Sequence, residues 1–457
     1  MDNLHRFQNK TLSKLIIEFS LPATIGMIVS FSYNIVDRIF VGNQIGAGAL
    51  SGVAVLFPVQ IIIFGLAFMI GIGANTNVSI NLGKKNLQEA EHYLTNAFSI
   101  AIIISIVIFA ILHIFFDQIL DLVGSYGNIR QYSSDFLYVV SFGVLFQTVS
   151  FSLNNLIRAA GFPQTAMWTQ IIGAMINIIL DAIFIYRLGW GVKGADLATN
   201  IGSFISMAWV VAFFISKRSP IKFKIKYLMP KFAIVSSIVA IGIGSFLTQI
   251  SGSVITLLLN RLLYKYGGPD GIAVLSIATG IEAFMFVPII GLSIGLRPII
   301  GYNFGAKDFT RVRRSLEIGI FTTLSVGVLG FAIIQLFAPN LISLFVPNNQ
   351  HIIEMGVTAL RTFTFFITLV GLEITATTYF QSIGNAKIAL ILTLNRQLIF
   401  LLPLMFILPL YFGLMGLWYA GAVSDFASSI LSASFLFWAM KTIKKKEVEP
   451  IPEAAIE

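Results

Sequence analysis

The residues of this chain best placed for chemistry are carboxylates in apolar surroundings. Asp37 stands at the end of Tyr33-Asn34-Ile35-Val36-Asp37, inside a long apolar run. Asn34 lies one helical turn before it, on the same face. Asn177 and Asp181 repeat the arrangement, and Thr199 and Asn200 follow in the next apolar run. A carboxylate in such a segment is costly, so it pairs, takes a proton or binds a cation. Asp37, Asn34, Asn177, Asp181 and Thr199 together offer oxygens for a proton or a Na⁺ ion. The plainer alternative is a polar network that ties helices together. Two intramembrane carboxylates favour the functional reading.

Further polar groups fall in later apolar runs. Glu282 is followed by Phe284, Met285 and Phe286; Glu373, Arg396 and Asp425 lie further on. Glu282, Glu373, Arg396 and the amide of Gln249 are the candidates for substrate binding. Two readings of Glu282 stand side by side: attraction of a cationic substrate, or a structural bridge to Arg396. Asp425 is a lesser candidate of the same kind, and Asp196, at the mouth of a span, reads as solvated. Gly291 and Gly295 read as close helix packing. Pro22, fifteen residues before Asp37, breaks the helical ladder and marks a hinge or a fixed kink.

The elements that must position these groups are membrane helices. Of 457 residues, 56% are hydrophobic and 11% charged, against about 25% charged in a soluble domain. Apolar runs long enough to span recur at 15–41, 52–80, 94–116, 136–158, 164–187, 194–216, 232–263, 272–302, 315–338, 356–382, 387–411 and 414–440. The expected fold is all-α and integral to the membrane, with twelve transmembrane helices. The first run is too long for the core of a cleavable signal peptide. An even number of spans puts both termini on one side. Lys and Arg crowd that side, most densely at 217–231, so it reads as cytoplasmic and the membrane as the plasma membrane. The net charge of +9 then serves topology and contact with membrane lipids, not nucleic acid. The absence of cysteine excludes disulfides and thiolate metal sites. His5, His92, His113 and His351 are scattered singly. No GxxxxGK[ST] stretch is present to bind ATP, and no cofactor is indicated.

The two halves of the chain match at an offset of 222 residues. Asn81-Leu82-Gly83-Lys84-Lys85 answers Asn303-Phe304-Gly305-Ala306-Lys307, Gly73 answers Gly295, Phe115 answers Phe337, and Gly191 to Gly194 answers Gly413 to Gly416. Arg158-Ala159-Ala160-Gly161 resembles Gln381-Ser382-Ile383-Gly384 with one residue more of shift. Six spans per half make the repeats parallel. The expected division is an N-terminal six-helix lobe at 1–216, a basic cytoplasmic linker at 217–231, a C-terminal six-helix lobe at 232–440 and a cytoplasmic tail at 441–457. The acidic site belongs to the first half alone: Asn260-Arg261 stands where Asp37-Arg38 stands, and Pro403 where Asp181 stands.

With repeat and motifs together, the chain resembles the MATE family of multidrug and toxic compound extrusion transporters over about residues 10–440, most of all its DinF-like and MepA-like bacterial branch. The resemblance rests on Asn34-Ile35-Val36-Asp37-Arg38-Ile39-Phe40-Val41-Gly42, Arg158-Ala159-Ala160-Gly161, Asn177-Ile178-Ile179-Leu180-Asp181 and Pro298-Ile299-Ile300-Gly301-Tyr302-Asn303. It implies a V-shaped pair of pseudo-symmetric six-helix bundles, a monomer, and export of small amphipathic organic cations in exchange for H⁺ or Na⁺ by alternating access. It assigns ion coupling to Asp37, Asn177, Asp181 and Thr199, and helix bending to Pro22. The chain departs from some members at Phe246-Leu247-Thr248-Gln249, where they carry an acid, and at Glu373, where they carry an aspartate.

Three rivals remain. A lipid-linked-saccharide flippase would line its cleft with cations such as Arg261, Arg297, Arg361 and Arg396; the acids of the first half argue against it. An intramembrane enzyme would need a nucleophile with its base, or ligands such as HExxH, and none is found. A passive channel fits the buried acids least.

Overall fold

The computed structural model describes residues 2–347 and 349–448; residues 449–457 of the expected tail lie outside the described residues. The helices are α1 Asp2–Asn9, α2 Leu12–Gln44, α3 Ala47–Ala54, α4 Phe57–Gly83, α5 Leu87–Ile114, α6 Phe116–Leu122, α7 Arg130–Ala159, α8 Pro163–Asp181, α9 Gly191–Ile215, α10 Phe232–Gly305, α11 Phe309–Ser343, α12 Gln350–Phe363, α13 Ile367–Ser382, α14 Ala386–Leu394, α15 Leu402–Phe412 and α16 Leu414–Val448. Among the described residues there is no strand.

Ten of the helices or helix runs are long and apolar enough to cross a bilayer, and α12 with α13, bent by 45° at their junction, makes an eleventh. α10 has 74 residues, roughly 110 Å of helix at 1.5 Å each, against about 30 Å of hydrocarbon. It is two spans, broken where Gly268 takes φ 63°, a conformation open to glycine, with Pro269 starting the next helix. The architecture is therefore the all-α, twelve-span one expected from the sequence.

The internal repeat extends to backbone detail. Among the described residues the non-glycine positions with positive φ are Lys85 and Lys307, both at 59° and 222 apart in sequence. Each precedes a capping residue: Asn86 accepts the Glu89 amide at 3.1 Å, and Asp308 the Arg311 amide at 2.9 Å. Those caps satisfy amides that the first helical turn leaves open. Gly191 and Gly413, at φ 59° and 56°, turn the chain into α9 and α16. The halves diverge at Phe115, which closes α5, whereas Phe337 lies inside the unbroken α11.

The chain folds as two compact units, each discontinuous in sequence. The first holds Met1–Asn9 and Leu21–Gln249. Its apolar core joins Val41, Leu56, Ile63, Leu112, Val140 and Val192. The start of α10 belongs to it, because a Cβ on Gly73 would lie 2.0 Å from the Ile238 carbonyl oxygen, and one on Gly242 1.9 Å from that of Met69. Only glycines let these backbones meet. The basic segment 217–231 is bound to the same unit. Lys222 and Lys224 donate backbone amides to Glu91 Oε1 at 3.1 Å and Thr95 Oγ1 at 3.2 Å. Asn96 bridges the Tyr227 carbonyl, at 3.0 Å, and the Lys231 amide, at 2.8 Å.

The second unit holds Lys10–Ser20 and Ile250–Glu457. One core gathers Leu259, Leu263, Leu275, Phe363, Met405 and Trp418; another joins Ile281, Ile334, Ala338 and Leu360. Lys10 pairs with Glu18, and its carbonyl accepts Arg311 Nη2 at 2.9 Å.

Candidate functional site

The first unit gathers Asp37 from α2, Asn177 and Asp181 from the end of α8, and Asp196 and Thr199 from α9. Immediately after Asp181 the helix widens into a π-turn, Ala182–Arg187, a feature that collects at functional sites. Asp181 is fully buried, and its carboxylate and that of Asp37 lie within hydrogen-bonding reach of each other. Asn177 Nδ2 donates to Thr199 Oγ1 at 3.1 Å. Asn34 is exposed and spends its amide on the Ser30 carbonyl at 2.7 Å, so its donor serves its own helix.

Both oxygens of Asp181, Asp37 Oδ1, Asn177 Oδ1 and Asp196 Oδ2 are buried without a hydrogen bond among the described residues. Buried oxygens without donors are costly. Asp37 and Asp181 are close together, and two acids in contact avoid repulsion only by sharing a proton or a cation. The donor set thus fits a proton or an oxygen-seeking cation; Asp37, Asp181 and the carbonyl of Asn177 would hold it. A cavity of about 60 Å³ adjoins the group, with Tyr33, Gln147, Asn154, Gln170, Asn177 and Thr199 among its walls.

Asp196, expected to be solvated, is buried at 4% exposure and sits in the electrostatic field of Asp37 and Asp181. Its place near the start of α9 suggested water. The packing of α7 and α8 over α9 removed it, and periodicity alone carries no signal for that.

The second unit builds a different cluster. Arg396, in the π-turn Asn395–Leu401, donates Nε to Asp425 Oδ1 at 2.7 Å and Nη2 to Glu282 Oε1 at 3.1 Å. Its guanidinium also lies 5.4 Å from the Phe286 ring centroid. Glu373 accepts Ser428 Oγ at 3.1 Å, and Ser424 Oγ donates to the Arg396 carbonyl at 2.7 Å. The structure thus brings Glu282, Glu373 and Arg396 together, with Asp425 as a full member. Gln249 is placed in the first unit, beside Gly65. Pro22 sits within α2 as expected.

Three of the four arginines that a flippase would need are engaged within the second unit. Arg396 is held by two acids, Arg297 donates to Gln381 Oε1 at 3.3 Å, and Arg361 donates to the Gln335 carbonyl at 2.8 Å. Arg261 is exposed.

A family model described as MatE matches residues 22–183 and 242–407, each stretch falling in one half of the repeat. The chain belongs to the MATE family. This MATE protein is 27% identical over 442 residues, covering 96% of both chains, to the multidrug export protein MepA of Staphylococcus haemolyticus. It is 28% identical over 417 residues, 91% of both chains, to MepA of Staphylococcus aureus strain NCTC 8325. It superposes with a TM-score of 0.92 on the crystal structure of a MATE protein in the bent conformation, at 26% identity, covering 98% of this chain and 100% of that one. An outward-facing multidrug resistance MATE transporter gives a TM-score of 0.90 at 26% identity, with 97% and 98% covered. The chain is thus a multi-pass membrane transporter of the multidrug efflux family.

Proposed function

We propose that this MATE protein exports lipophilic, often cationic compounds by antiport, in exchange for H⁺ or Na⁺ taken up at Asp37 and Asp181. The observation that carries the reading is the pair of carboxylates in mutual contact, with three of their four oxygens buried and unbonded. Asn177 and Thr199 orient the amide oxygen toward the ion, and Asp196 adds a third negative charge to the field. A proton or Na⁺ arriving from outside removes the repulsion between Asp37 and Asp181. α2 then repacks about Pro22, and the bound compound is displaced outward. The return step releases the ion inside. A membrane potential adds about 2.3 kcal/mol per charge per 100 mV when the exchange moves net charge. The Lys and Arg distribution supports cytoplasmic termini in the plasma membrane, and the export of drugs by the MepA relatives supports the cargo class.

The test is ethidium transport in proteoliposomes, wild type beside Asp37→Asn, driven separately by a pH gradient and a Na⁺ gradient. The expected result is that one gradient drives the wild type, while the variant still binds ethidium without accumulating it. If neither gradient moves ethidium in the wild type, the reading falls.

A further inference from the structure

The second unit carries a groove that ion coupling does not use. It lies where α10 ends and α11 begins, between the α13–α14 turn and the last turns of α16, and its volume is about 520 Å³. Its walls are aromatic: Phe304, Phe309, Tyr379, Phe380 and Trp438. Phe380 lies flat against Trp438, with centroids 6.2 Å apart and planes at 14°. Two exposed lysines, Lys387 and Lys446, close its rim. Lys446 Nζ sits 5.4 Å from the Phe309 centroid and 5.7 Å from that of Phe304. Among the described residues neither lysine forms an ion pair, and the Tyr379 hydroxyl makes no hydrogen bond.

The repeat explains why this corner is open. At the offset of 222, Ile443 and Lys446 correspond to Ile221 and Lys224. In the first unit the chain after α9 folds back into the matching corner. Ile221 and Phe214 are fully buried there, and Phe223 packs on Phe98 and Phe214 with centroids 4.9 and 5.6 Å away. Lys224 pairs with Glu91 at 3.5 Å. The residue matching Glu91 is Arg313, which is bound to Glu447 and Glu317. α16 runs straight past the corner, so the second unit has the lysine without the filling segment or the acid, and its walls are aromatic where Phe304, Phe309 and Trp438 replace Leu82, Leu87 and Ser216.

We propose that this groove binds an anionic phospholipid of the basic membrane face. The phosphodiester lies between Lys387, Lys446 and the Tyr379 hydroxyl, and an acyl chain runs along Phe380 and Trp438. A cation does not suit a rim of two lysines, and a neutral apolar guest leaves their charge unanswered. Trp and Tyr at a membrane boundary suit a headgroup and chain together.

The full-length protein in phosphatidylcholine vesicles, carrying a minor fraction of brominated phosphatidylglycerol or brominated phosphatidylcholine, tests the proposal. The signal is the tryptophan emission that disappears in Trp438→Phe. Brominated phosphatidylglycerol is expected to quench it preferentially. Lys387→Gln/Lys446→Gln is expected to weaken that preference about 25-fold, roughly fivefold for each lysine near an anionic surface, with quenching by the zwitterionic lipid unchanged. Equal quenching by the two lipids, or a double variant that behaves as wild type, overturns the proposal. Displacement by soluble glycerol phosphate shows a site for free phosphate and also overturns it. Quenching that emerges only after removal of residues 449–457 assigns the groove to the chain's own acidic tail, and the lipid proposal falls.

Discussion

Replacing Arg396 by methionine separates a structural bridge from a working charge in the second unit. Arg396 is the partner of both Asp425, at 2.7 Å, and Glu282, at 3.1 Å; the two acids are buried and Arg396 is partly so. Methionine keeps much of the side-chain volume and the contact with Phe286 but strands two carboxylates. Breaking a buried ion pair from one side costs about 3–5 kcal/mol, a loss of two orders of magnitude or more in the folding equilibrium. Glu282→Gln removes one negative charge but keeps a carbonyl acceptor, and leaves Arg396 held by Asp425, so its cost is below the roughly 1.5–3 kcal/mol of a whole hydrogen bond to a charged group. The triple variant Arg396→Met/Glu282→Gln/Asp425→Asn strands neither of these two acids, keeps the Ser428 hydrogen bond to Glu373, and is expected to recover most of the stability. The assay is thermal unfolding of detergent-purified protein followed by size-exclusion fluorescence, beside ethidium transport for each variant. A stable, transporting triple variant makes the cluster a bridge; a stable triple variant without transport gives Glu282 a role toward the cargo. If Arg396→Met is as stable as wild type, the energetic reasoning is refuted.

Asp181→Asn is expected to abolish accumulation driven by an ion gradient while ethidium counterflow persists; each coupled ion supplies about 1.4 kcal/mol per tenfold gradient, so the wild type gains up to about tenfold accumulation per ion and the variant none. Retained gradient-driven uptake would exclude Asp181 from coupling. Asn96→Ala removes two of the bonds that fasten segment 217–231 to α5 and leaves those from Glu91 and Thr95 in place. It is expected to cost about 1–3 kcal/mol and to speed limited proteolysis within that segment, with an unchanged cleavage rate as the contrary result. Gly242→Val drives a side chain into the Met69 carbonyl. Overpacking of this kind costs about 1–3 kcal/mol, read as a lowered midpoint of thermal unfolding, whereas Gly280→Val, with open space around it, leaves the midpoint near that of wild type.

Sequence by itself determined the membrane class, the number of spans and the duplication, because hydrocarbon imposes a fixed length on every helix and an offset of 222 survives in the turn residues. It singled out Asp37, Asn177, Asp181 and Thr199, because an acid is rarely tolerated in an apolar helix. It could not tell whether Glu282 meets Arg396, since that contact joins helices more than a hundred residues apart in the chain. Nor could it show Asp196 to be buried. Water is removed there by helices packed over α9, whose placement is set by side-chain complementarity rather than by local pattern. Chain order likewise suggested a cut at 217–231, yet Phe232–Gln249 packs with the first unit, because Gly73 and Gly242 allow backbone contact with α4. Which atoms meet was decided in three dimensions; which atoms were costly to bury was written along the chain.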